Sequence, residues 1–74
     1  MRPRDEHLDW CKQRALVYLD AGDSRQAFTS MLSDLGKHPE LENHVGCRIG
    51  VWYMLVPGWI DNVVEVRRWI VGFN

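Results

Sequence analysis

Apolar residues recur along this chain mostly with a helical period. Leu8, Cys11, Ala15, Tyr18 and Leu19 fall on one face of a helix predicted from near Pro3 to about Leu19. Pro3 suits a first turn, where its missing N–H would have had no partner. Asp5 and Glu6 suit the positive end of the helix dipole, and Gly22 ends the helix. A second helix follows at once. Asp23 is its N-cap and Gln26, three residues on, completes a capping-box pattern. Ala27, Phe28, Met31, Leu32 and Leu35 form its apolar stripe. Gly36 closes it and Pro39 blocks continuation.

Residues Gly36 to His44 read as a polar loop with a turn of helix in Pro39-Glu40-Leu41-Glu42. A third helix is predicted from about Val45 to Val56, apolar nearly all round. Such a helix is central in the core or buried in an oligomer. Pro57-Gly58 is a turn, and Asp61 is placed to cap a fourth helix from Asn62 to about Val71. There Val63, Val64, Arg67, Ile70 and Val71 share a face. The second half also has strand-favouring composition. Arg48–Leu55 and Val63–Val71 therefore form an alternative β-hairpin around Pro57-Gly58. The unbroken run Trp52-Tyr53-Met54-Leu55-Val56 lacks the alternation a hairpin needs, so helices are the preferred reading. The expected fold is one all-α domain, residues 1–74, of two antiparallel helical hairpins with three to four helices.

Composition changes this picture in three ways. With 74 residues, folding buries only about 60–65 % of the unfolded surface, so self-association or a partner would matter to stability. Nine basic and ten acidic residues leave a formal charge of −1, which weighs against a dedicated nucleic-acid binder. Four Trp are more than a domain this small readily covers, and Trp is enriched at binding hot spots. Cys11 and Cys47 are too few for a disulfide framework. The opening M-R-P-R-D-E-H has no apolar stretch behind its charges, which reads against a signal peptide. Val45 to Ile60 is interrupted by Arg48 and Pro57-Gly58 and is short for a bilayer span. The expectation is a soluble, cytoplasmic protein with reduced thiols.

Several constellations are candidates for chemistry or binding. His7 and Cys11, with His44 and Cys47, make a weak His2Cys2 zinc candidate. Packing is the preferred role for the two thiols, and no metal or cofactor is expected. Cys11 or Cys47 as nucleophile has no visible activating surroundings. The acids Asp5, Glu6, Asp9 and Asp20 read as a solvated face. Arg2, Arg4, Lys12 and Arg14 beside Trp10, with Arg67 and Arg68 beside Trp69, would suit phosphates and stacked bases. The overall charge disfavours that reading. Trp10, Trp59 and Trp69, with Arg14, Arg67 and Arg68 as companions, are the candidate partner-binding set. Ile49, Trp52, Tyr53 and Val56 are the candidate homodimer face on helix three.

Ala15, Tyr18, Gly22, Ala27, Met31 and Pro39 keep the spacing of a tetratricopeptide repeat unit, which the first hairpin resembles over about a third of the chain. Cys11, Arg14 and Asp34 depart from that pattern. The opening R-P-R-D-E-H-L-D-W-C-K-Q-R-A-L, the central D-L-G-K-H-P-E and the ending R-R-W-I-V-G-F-N resemble a group of very small bacteriophage proteins. Val51-Trp52-Tyr53 departs from the Met-rich run of that group. The resemblance carries over no functional residues. It implies a non-enzymatic accessory protein in the bacterial host cytoplasm that binds and inhibits or redirects a host protein, a defence complex among the options. A small nucleic-acid-binding regulator and a minor virion protein are the alternatives.

Overall fold

The computed structural model describes residues 3–74. Four α-helices follow one another: α1 (Arg4–Asp20), α2 (Ser24–Leu35), α3 (Val45–Met54) and α4 (Val63–Val71), with a 3-10 turn at Trp59–Asp61 before α4. No strand occurs among the described residues, so the alternative β-hairpin over residues 45–72 is set aside. The apolar run 52–56 has no face to alternate between, and side-chain caps at His44 and Asn62 start the two later helices.

The α1–α2 hairpin follows the sequence closely. Gly22, at φ 81°, takes the left-handed backbone that ends α1. Gly22 N–H donates to Leu19 O at 2.8 Å and Asp23 N–H to Tyr18 O at 2.9 Å, the two bonds that satisfy the last carbonyls of a helix. Asp23 then accepts from Gln26 N–H at 3.0 Å and starts α2. Leu8, Cys11, Ala15 and Leu19 of α1 are buried against Ala27, Phe28, Met31 and Leu35 of α2. Ala15 and Ala27 have no accessible surface, so these small residues lie where the helices face each other. Leu41 from the loop caps this core, fully buried.

The fourth helix completes the core with a face that keeps Val63 and Ile70 of the expected set but not the rest. Val66, Trp69 and Ile70 are buried, whereas Val64 and Val71 are exposed. The cap also differs: Asn62, not Asp61, accepts from Glu65 N–H, at 3.2 Å. Asp61 instead forms a two-bond pair with Arg25 of α2, at 2.6 and 2.9 Å. That pair raises the Arg25 pKa and lowers that of Asp61, in each case chiefly through the side-chain hydrogen bond. The tail folds back over α1: Arg4 donates to Asn74 O at 2.6 Å and Lys12 to Phe73 O at 2.5 Å. No helix among the described residues is long and apolar enough to cross a membrane.

The third helix departs most from the sequence reading. It ends at Met54, two residues early, and is not central in the core. Gly50 is its single buried residue.

Candidate interaction surface on the third helix

Two glycines one helical turn apart explain how an apolar helix comes to lie outside the core. A Cβ at Gly46 would sit 2.5 Å from Cε1 of Phe73, and one at Gly50 would sit 2.6 Å from Cζ2 of Trp69. At these two positions the inward face of α3 is thus bare backbone laid on two aromatic rings, with the small side chain of Cys47 partly buried beside them. The indole Nε1–H of Trp69 donates to Gly46 O at 2.9 Å and fixes the register of this contact. His44 holds the start of the helix. Its Nδ1 accepts from Gly46 N–H at 2.9 Å, and its Nε2–H donates to Asn74 O at 2.8 Å.

Because the glycines take up the inward face, the large side chains of α3 point elsewhere. Val45, Ile49, Val51, Trp52, Tyr53, Met54, Leu55 and Val56 are each 40–71 % exposed, with Trp52 at the top of that range. Arg48 is the only ionisable cation on the helix, and it carries no carboxylate. An exposed apolar patch of this kind makes the outer side of α3 a candidate interaction surface. Beside it lies a groove of about 340 Å³ between α3 and α4. Ile49, Tyr53, Trp59, Trp69 and Phe73 form its apolar walls, and His44, Glu65 and Arg68 its polar rim. Arg68 and Glu65 form an ion pair at 3.3 Å.

The expected partner-binding set is divided by the fold. Trp59 and Trp69 are 8 % and 7 % exposed and belong to the core, which corrects their reading as surface anchors. They cross edge to face with centroids 6.0 Å apart, and Phe28 packs on both, at 5.7 and 4.9 Å. The cause is the buried α4 face: Trp69 lies on it, not beside it. Trp10 is half-buried on α1, with the Arg14 guanidinium 4.9 Å and the Lys37 ammonium 5.6 Å from its ring centroid. Both cations bind the carboxylate of Asp34, Arg14 at 2.8 Å and Lys37 at 3.0 Å. Arg67 and Arg68 lie on α4, Arg67 bound to Asp20 at 3.4 Å.

Asp34 is the functional-looking residue that the sequence did not single out. It is 1 % exposed, and Arg14, Lys37 and Ser30 all donate to its carboxylate. Its backbone carbonyl also accepts from His7 Nε2–H at 2.7 Å. The carboxylate is satisfied from within the chain, so it ties α1 to α2 rather than offering a free acid. Its only sequence signal was its departure from the repeat pattern.

The dimer-face candidates Ile49, Trp52, Tyr53 and Val56 all lie on the exposed apolar surface, although the ring of Tyr53 also packs on Trp59 at 5.1 Å. The His2Cys2 candidate is not assembled: no three His, Cys, Asp or Glu residues among those described converge on a metal position. His7 and His44 use their Nε2 atoms on backbone carbonyls. Burial, aided by the Asp34 charge, pushes the Cys11 thiol up to about 11, and burial also raises that of Cys47. Both shifts favour the thiol over the nucleophilic thiolate. Of the basic residues considered for nucleic acid, Arg2 lies outside the described residues. Arg4, Lys12, Arg14, Arg67 and Arg68 are each bonded to oxygens of the chain itself.

Comparison of the chain with protein families, with curated proteins and with solved structures gives no match.

Proposed function

We propose that this chain is a non-enzymatic protein-association domain whose working surface is the apolar outer face of α3. One observation carries the reading: the most apolar helix turns its large side chains, Trp52 foremost, to solvent. Leaving that area bare costs hydrophobic free energy at roughly 25 cal/mol per Å², and covering it with another protein recovers it. The short bacteriophage-like segments at the opening, centre and end of the chain suggest the setting. There the domain acts in the cytoplasm of a bacterial host and covers a surface of a host protein, which it inhibits or redirects. Components of a defence complex are among the targets this reading admits.

The test is an affinity pull-down of the tagged chain from bacterial lysate, at low and high salt with nuclease, beside the variant Trp52→Glu. One stoichiometric host protein that survives salt and nuclease, and is lost with the variant, supports the reading. Recovery that depends on nucleic acid would replace it with a nucleic-acid-binding role. No recovery at all would overturn the host-protein target.

A further inference from the structure

The α3 face carries both halves of a self-complementary contact. Val45, Ile49 and Trp52 follow one another at intervals of four and three residues, the spacing by which one helix presents a seam to another, and exposed Val56 follows in the turn after the helix. Trp52 stands out from that seam, 71 % exposed. Next to it, walled partly by Ile49 and Tyr53 of the same helix, is the groove of about 340 Å³, a space that takes a side chain rather than a whole helix. A projection and a recess on one patch are what a two-fold contact between identical chains needs, since each residue pair is then made twice.

We propose that the occupant of this face is a second copy of the chain. The two α3 helices cross about a two-fold axis, and Trp52 of each copy enters the groove between α3 and α4 of the other. This rests on the reading of the α3 face as a docking surface: the second copy covers that face in the free chain, and a host protein that docks there displaces it.

Area and charge both favour a second copy. The exposed parts of Val45, Ile49, Trp52, Tyr53 and Val56, the apolar residues on or beside the seam, amount to an area on the order of 500 Å² per copy. A stable interface removes about 800 Å² per partner, polar rim included. The absence of any carboxylate on α3 means that two copies oppose no acidic pair there. The one like-charge meeting on the helix would be Arg48 with Arg48, a single exposed pair that water screens. A foreign partner would leave the match between Trp52 and the groove unused.

Sedimentation equilibrium over a concentration series tests this, using the intact chain, Trp52→Glu, Val56→Glu and Val17→Glu, with circular dichroism alongside. Val17 is 67 % exposed on α1 and serves as an apolar-to-acidic control away from the seam. The expected result is a dimer for the intact chain and for Val17→Glu, and a monomer of unchanged helicity for Trp52→Glu and Val56→Glu. Should Trp52→Glu lose helicity, Val56→Glu decides alone, because it lies in the turn beyond α3. A monomeric intact chain, or a dimer that persists in both seam variants, would overturn the proposal. A monomer that captures a host protein through Trp52 overturns the second copy and leaves the docking reading standing. A dimer from which no host protein is recovered upholds the second copy and overturns only the host-protein target.

Discussion

Gly50 lies against the indole of Trp69 so closely that a Cβ at position 50 would fall 2.6 Å from Cζ2 and 2.9 Å from Cε2. No real Cβ tolerates such a contact, and the indole cannot retreat. It is held by its Nε1–H bond to Gly46 O and packed between Phe28 and Phe73, at 4.9 and 5.1 Å. Gly50→Ala is therefore expected to destabilise the domain by about 1–3 kcal/mol, the usual cost of overpacking, although Ala is the better helix former. Urea unfolding measures this. A neutral or stabilising result would show that α3 does not sit on Trp69 as described.

The two kinds of tryptophan separate by stability. Trp69→Ala is expected to cost about 3–5 kcal/mol, as for a large core residue. Trp52→Ser, at an exposed position, should stay within about 0.5 kcal/mol when unfolding is followed at low protein concentration. Comparable losses at both positions would place Trp52 in the core of the single chain.

Gly22 is needed for its backbone. Its φ of 81° costs an L-residue about 1–2 kcal/mol, while nothing lies within 4 Å of where a Cβ would go. Gly22→Ala should therefore lose about that much, and Gly22→Asn less, because Asn tolerates the left-handed region. Thermal unfolding of the two variants distinguishes backbone strain from a packing clash, for which the larger Asn would be worse.

Removing the Asp34 carboxylate should loosen α1 from α2. Asp34→Ala leaves Arg14 and Lys37 without their shared acceptor, but both side chains are about half exposed and regain water. The expected loss is about 1–3 kcal/mol, below that for a fully buried pair. Chemical denaturation checks it. An unchanged midpoint would mean that the carboxylate only offsets its own desolvation.

Cys11 supplies an alkaline dependence whose sign follows from its raised pKa. Burial holds the native thiol protonated up to about 11, against an ordinary value of 9.0. Above pH 9 the unfolded chain loses this proton first. The contribution of the thiol is thus fully present below pH 9 and is lost as pH rises toward 11. The loss is on the order of 2–3 kcal/mol. Melting temperature should fall more steeply over that window in the intact chain than in Cys11→Ala. Equal slopes would show that the thiol is accessible in the native state.

What the sequence determined by itself was local. The α1–α2 hairpin was legible because each signal acts over a few residues: Gly22 at a left-handed turn, Asp23 capping through Gln26 N–H, and Leu8, Cys11, Ala15 and Leu19 at one period. The exposure of Ile49, Trp52 and Val56 was only half legible, since a helix apolar nearly all round is central in the core or buried in an oligomer and its pattern does not choose between them. The tertiary structure decided what no period encodes. It chose Val66 and Trp69 over Val64 and Val71 as the inward face of α4. A helix this short satisfies either choice locally, and packing on Phe28 selects one. It took Trp59 and Trp69 into the core and gave Asn62 the cap that Asp61 had seemed placed to provide, with Asp61 drawn off to Arg25. It also turned α3 inside out. Spacing placed Gly46 and Gly50 on one face, but only the rings of Phe73 and Trp69 beneath them made that bare face the buried one. Burial goes to the side that packs most closely, and here that is the side with the smallest residues, Gly46, Gly50 and Cys47.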